Sequence, residues 1–148
     1  FNLRNLSNLL EALEAYGEEK TTISYDIDKL WDGLHFLLTG VSAQDPIEGD
    51  PLSEAVVGTD VFDCDDFIAY TAPDNIINIA KALNKADIDT LIAGMDVTKF
   101  KKAKIYPNIW QKKDEESLKA ELKDEFVNLK AFYEKALNSK TGVLVSIY

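Results

Sequence analysis

The sequence predicts an α/β domain. Stretches with apolar residues at helical spacing alternate with short β-branched runs, and the chain closes on Val143-Leu144-Val145-Ser146-Ile147-Tyr148, a nearly continuous apolar run of strand length. Such a run suits a strand covered on both faces. With 148 residues, 46% hydrophobic and 28% charged positions, disorder and collagen-like chains are excluded. A compact chain of this length has a radius of gyration of roughly 15 Å and buries about 68–70% of its unfolded surface, enough for a core without staples. No internal repeat, low-complexity tract or linker divides it, so residues 1–148 are expected to form a single domain.

The elements follow in order. Leu6, Leu9, Leu10, Leu13 and Tyr16 share one helical face and Gly17 follows as a stop. Thr21 to Tyr25 is short, β-branched and alternating, which predicts a strand. Asp26 occupies an N-cap position before Ile27, Leu30, Trp31, Leu34, His35 and Leu38, with Gly40 closing that helix. From Val41 to Asp66 the punctuation of Pro46, Gly49, Pro51 and Gly58 predicts a long irregular loop with a short strand over Ala55 to Val57. Phe67 to Thr71 predicts a strand. Pro73 then opens a helix carrying Ile76, Ile79, Ala80 and Leu83. Asp87 and Asp96 cap two short helices, the first ending at Gly94 and the second using Val97 and Phe100. After the Ile105-Tyr106-Pro107 turn, Leu118, Leu122, Phe126, Leu129, Tyr133 and Leu137 mark a long helix that leads into the last strand.

Charge is placed unevenly. The formal total is −10, and the segment from Leu30 to Ala80, which holds ten acids and no Lys or Arg, carries all of it. Residues 1–29 contribute −3 and residues 81–148 contribute +3. An acidic middle of this kind either keeps the protein soluble or steers a basic partner. It disfavours DNA and RNA, which demand a basic footprint; Lys99, Lys101, Lys102 and Lys104 form the sole basic cluster. No apolar run approaches the ~20 residues that span a bilayer, so no membrane helix is expected. One Cys, Cys64, cannot form an internal disulfide, which fits a reducing compartment and makes the cytoplasm the expected location. The chain opens at Phe1 and its one Met is Met95, so a native N-terminal piece is expected to precede it.

Much chemistry is absent. The seven glycines allow neither a dinucleotide-binding fingerprint nor a P-loop, and one Cys with one His cannot supply a structural zinc site. No cofactor or metal site is therefore expected. Asp60, Asp63, Asp65 and Asp66 form an acidic loop that can attract calcium, although Phe67 and Ile68 interrupt the EF-hand pattern. Cys64 sits among acids that disfavour its thiolate, which makes it structural. The candidate catalytic residues are His35 and Asp32: the carboxylate lies three residues before the imidazole, with Thr39 four after it, a spacing that can orient a general base. Against this, His35 shares the apolar stripe of Ile27, Trp31, Leu34 and Leu38, which favours a hydrogen-bonded packing histidine. Trp31, Trp110, Tyr106 and Tyr25 are more simply core residues than pocket lining.

Three strings carry a family resemblance: Asp26-Ile-Asp-Lys-Leu-Trp-Asp-Gly-Leu-His-Phe-Leu-Leu-Thr-Gly40, Asp50-Pro-Leu-Ser-Glu-Ala-Val-Val-Gly58 and Ile105-Tyr-Pro-Asn-Ile-Trp110. In order and spacing they resemble the YfbM-like family of bacterial proteins, a domain of unknown function, over nearly the whole chain. The resemblance implies a bacterial, cytoplasmic, three-layer α/β domain whose small mixed sheet is flanked by helices, and it brings no reaction, cofactor or catalytic residue. The short N-terminal strand segment typical of the family is expected to be absent from this chain. Trp31, His35, Thr39, Gly40, Asp50, Pro51 and Leu52 fall in the family signature. If Asp50-Pro51-Leu52 folds back on the end of the Trp31 helix, loop and helix form a pocket beside His35.

Two functions compete on this basis. The first is a non-catalytic binding protein, immunity-like or regulatory, whose acidic middle, with Asp63, Asp65 and Asp66, engages a basic protein. The second is a small enzyme or small-ligand-binding protein built on His35, Asp32 and Trp31, with Thr39 and Asp50 at the pocket.

Overall fold

The computed structural model describes residues 25–147. After a 3-10 turn at Asp28–Leu30 come α1 (Trp31–Thr39), α2 (Pro51–Val57), β1 (Asp60–Val61), β2 (Phe67–Thr71), α3 (Pro73–Lys85), α4 (Ile88–Ala93) and α5 (Val97–Lys102). A second 3-10 turn at Lys112–Asp114 leads into the long α6 (Glu115–Ser139), followed by β3 (Val143–Ile147). The α/β class holds: a largely helical domain carries a small sheet, and its long last helix precedes a strand. The expected helix at Leu6 to Tyr16 lies outside the described residues, as does the Thr21–Tyr25 strand up to residue 24.

The sheet has the order β1-β2-β3, with both ladders antiparallel. Asp60 faces Tyr70, and β3 runs back along β2 from Thr71 opposite Val143 to Phe67 opposite Ile147. The parallel pairing that a mixed sheet requires is not found among the described strands. Val143 is buried, whereas Leu144 to Ile147 are half-buried, so the cover on this strand is complete only where it leaves α6.

Helix α6 forms the spine because its Leu118, Leu122, Phe126, Leu129 and Tyr133 recur at helical spacing and are all buried. Helices α1, α3 and α4 pack on it. Tyr133 buries its ring and donates its hydroxyl to the Ala55 carbonyl at 2.7 Å, fastening α2 to the spine. Burial pushes the Tyr133 phenol pKa up, which keeps it a donor. Trp110 donates from Nε1 to the Ile105 carbonyl at 2.8 Å and lies 4.6 Å from Phe100, which meets Phe36 edge-on at 4.7 Å.

Two sequence expectations are corrected here. The segment Ala55–Val57 is not a strand inside a loop but the end of α2. Asp50 Oδ1 accepts the Leu52 N–H at 2.9 Å, Pro51 takes a first-turn position that has no need of an N–H, and Gly58 ends the helix at φ +79°. The β-branched pair Val56-Val57 faces the core, where burial outweighs its weak preference for strand. Asp26, in turn, does not cap α1. Its Oδ1 accepts the Asp28 N–H at 2.7 Å, a local turn that competes with helix, and α1 begins only at Trp31 with no side-chain cap. At its other end α1 closes as expected, with Gly40 at φ +82° donating to the Phe36 carbonyl at 2.8 Å.

Gly33 shows how tightly α1 sits. A Cβ there would lie 2.5 Å from Trp110 Cη2, and that indole is 2% exposed and held at both ends. Gly33→Ala is expected to lower stability by about 1–3 kcal/mol through overpacking. Urea denaturation measures this, and an unchanged midpoint would show that the indole can move aside.

Candidate functional site

Asp32 lies in the first turn of α1 and is completely buried. Its Oδ1 accepts the Ala43 N–H at 2.7 Å and the Ser42 hydroxyl at 3.0 Å, and its Oδ2 accepts the Tyr106 N–H at 2.9 Å. One side chain thus clamps two loops to the helix: the turn just after α1 and the Ile105–Trp110 segment far along the chain. A carboxylate suits this place because it offers two acceptor oxygens and no donor, matching three donors. None of these bonds goes to His35, so the expected Asp-oriented imidazole is corrected: Asp32 is spent on loop closure.

His35, one turn further along, is also completely buried. Its Nδ1 is 2.8 Å from the Val41 carbonyl and its Nε2 is 2.7 Å from Ser53 Oγ. A carbonyl only accepts, so Nδ1 carries the proton and Nε2 accepts the Ser53 O–H. Ser53 Oγ in turn accepts the Ile47 N–H at 3.0 Å. Thr39 donates its hydroxyl to the His35 carbonyl at 2.8 Å and stands 3.2 Å from Nδ1. Burial lowers the His35 pKa below its ordinary 6.5, against the upward pull of the Val41 carbonyl and of Asp32 and Asp50. The imidazole is therefore neutral and saturated. It joins α1 to the 41–50 loop and to α2.

A serine hydroxyl hydrogen-bonded to an imidazole is also the arrangement of an activated nucleophile. Here Ser53 and His35 are both 0% exposed, and the serine oxygen already accepts a backbone N–H. No surface is offered to a substrate, so the pair acts as a structural pin.

The other predicted residues disperse. Trp31 is half-buried and stacks on Tyr106, with ring centroids 5.5 Å apart; its ring turns to that exposed tyrosine. Asp50 caps α2. Thr39 alone of the predicted set bonds His35, while Ser53, Ser42 and the Tyr106 N–H are partners that sequence reasoning missed. Asp63, Asp65 and Asp66 are exposed in the connection between β1 and β2, where Cys64 Sγ lies 2.9 Å from the Asp66 carbonyl that accepts its S–H. Among the described residues no three His, Cys, Asp or Glu side chains converge to hold a metal ion. No described helix is long and apolar enough to cross a membrane.

The acidic middle is a surface. Of its ten acids, Asp45, Glu48, Asp60, Asp63, Asp65, Asp66 and Asp74 are exposed and Asp32 alone is buried. The ion pairs among the described residues are Lys112 and Lys119 with Glu115, Lys119 with Glu116, and Lys123 with Asp89. Within the described residues the acidic face is thus uncompensated by any base at contact distance.

Comparison with known proteins places this geometry. Protein YfbM of Escherichia coli (strain K12) is 37% identical over 86 residues, which are 57% of this chain and 52% of that protein. In that match the chain spans about half the length of its relative. The crystal structure of a protein of unknown function, YfbM from Escherichia coli, superposes with a TM-score of 0.76 at 28% identity, covering 99% of this chain and 96% of that one. The sequence family described as a domain of unknown function (DUF1877) matches residues 2–146, and the chain belongs to this YfbM-like family.

Proposed function

We propose that the protein is a non-catalytic binding protein, immunity-like or regulatory, that docks a basic protein partner on its acidic face. The observation that carries this reading is the exposed and, among the described residues, unpaired set of acids between Leu30 and Ala80. The acids are densest in the β1–β2 hairpin, where Asp60, Asp63, Asp65 and Asp66 are all exposed and share the hairpin with Val61, itself 59% exposed. An exposed apolar side chain in an acidic hairpin suits a protein partner better than it suits solvent alone. The rival enzyme reading on His35, Asp32 and Trp31 loses support because both polar groups are buried and fully engaged in holding loops.

The test is affinity capture with wild-type protein and with an Asp63→Asn, Asp65→Asn, Asp66→Asn variant at low and moderate salt, followed by titration of the purified captured protein. The expected result is a basic protein held by wild type, with affinity about tenfold weaker in the variant, at a few tenths of a kcal/mol for each exposed charge. Affinity also falls as salt shortens the Debye length to about 8 Å at physiological ionic strength. The variant folds as wild type does, since its three sites are exposed. Binding that ignores both salt and the substitutions would overturn the reading.

A further inference from the structure

Helices α2 and α3 pack against each other, and an open cleft of about 510 Å³ runs along α3 from Asn75 to Lys85 beside the start of α2. Its two walls differ in charge. One wall is the start of α2, with Gly49 and the half-buried Glu54. The other is a face of α3 on which Asn75, Asn78, Lys81 and Lys85 recur three to four residues apart, so their side chains line up along the helix. These two lysines are the first bases after the long acidic segment, and neither is ion-paired among the described residues. Burial raises the Glu54 pKa against the pull of the Gly49 N–H, and the nearby charges of Asp50, Asp60 and Glu48 add to the rise.

We propose that this cleft binds a small zwitterion of dipeptide size, with its carboxylate on Lys81 and Lys85, its ammonium on Glu54, and its peptide group read by the Asn75 and Asn78 amides. A dipolar cleft favours a dipolar ligand. A purely anionic ligand enters the field of a chain of charge −10 at a cost, and a purely cationic one leaves the lysines unanswered. The volume lies within the range of small-ligand sites, and each amide offers both a donor and an acceptor, as a peptide group requires. The acidic wall is held in place beforehand: Ser53, next to Glu54 in α2, bonds His35 at 2.7 Å and accepts the Ile47 N–H at 3.0 Å.

The test is an NMR titration of the full chain with dialanine, following backbone amides. The expected result is saturable shifts at Gly49, Glu54, Asn75 and Asn78 with a millimolar or tighter dissociation constant, weakened about tenfold or more for N-acetyl-dialanine and for dialanine amide. Lys81→Ala with Lys85→Ala, and separately Glu54→Gln, abolish saturation while leaving the remaining spectrum in place, since the two lysines are exposed and glutamine keeps the shape of the half-buried Glu54 and an oxygen that accepts. No saturable shift at those amides up to about 20 mM dialanine overturns the proposal. Equal binding of the N-acetylated form overturns it in favour of a plain anion site, and variants that bind as wild type does overturn the assignment of these walls.

Discussion

Asp32→Ala is expected to cost about 3–5 kcal/mol, because it strips the acceptor from three donors at once and leaves two backbone N–H groups, those of Ala43 and Tyr106, unpaired inside the fold. For a chain of this size that corresponds to a fall in Tm on the order of 10 °C. The turn at Ser42-Ala43 and the Tyr106 segment lose their common anchor together, so hydrogen exchange at both is expected to quicken. Asp32→Asn distinguishes charge from geometry. Its amide oxygen can still serve Ser42 and Ala43, but its NH2 then meets the Tyr106 N–H, donor against donor, so the loss is smaller and concentrated on the Tyr106 side. Urea denaturation with exchange at these residues reads both effects. An Asp32→Ala protein of wild-type stability that had lost binding would return this residue to a functional role.

His35→Ala is expected to cost about 3 kcal/mol: a cavity opens, the Val41 carbonyl loses its donor and the Ser53 hydroxyl loses its acceptor. His35 also sets a pH dependence whose sign follows from its lowered pKa. The unfolded chain takes up a proton as pH falls through 6.5, while the folded imidazole resists it. Stability is therefore complete above the ordinary pKa and declines below it, by at most about 1.4 kcal/mol per pH unit, until the lowered folded pKa is reached. Glu54 and Glu125 act in the opposite sense. Burial raises both pKa values, so their contribution is complete below the ordinary 4.5 and is lost as pH rises through the raised folded values. Comparing the stability of wild type and His35→Gln from pH 7 to about 5 isolates the histidine, since the carboxyl contributions are common to both. As the chain has one His, its ring resonances titrate without ambiguity. A ring that titrated near 6.5 in the folded protein would contradict the neutral, doubly bonded imidazole.

Much of the helical frame is legible residue by residue. Asp87 and Asp96 cap α4 and α5 as their sequence positions imply, accepting the Thr90 N–H at 3.1 Å and the Thr98 N–H at 2.9 Å. The leucine and aromatic stripe from Leu118 to Tyr133 is the buried face of α6, whereas Leu137, expected on the same stripe, is exposed and Ala136 is buried in the last turn instead. Helix α2 was legible too: Asp50 followed by Pro51 is an N-cap and a first-turn proline. It is obscured by the nearby glycines and the valine pair, which carry stronger loop and strand signals.

What the sequence by itself determined is therefore what local physics controls: the helical periods outside α2, the caps of α4 and α5, the Gly40 stop, the strands at Phe67–Thr71 and Val143–Ile147, and the charge block from Leu30 to Ala80. What only the tertiary structure decided is the use made of Asp32 and His35. Helical spacing places them three residues apart and within reach of each other, but their partners return from 10 and 74 residues away for Asp32 and 18 away for His35. A buried acceptor goes to whichever donors the closed chain brings to it, and backbone N–H groups that would otherwise be orphaned claim it first. The cleft between α2 and α3 has the same origin, since Glu54 and Lys81 become opposite walls only when the two helices pack.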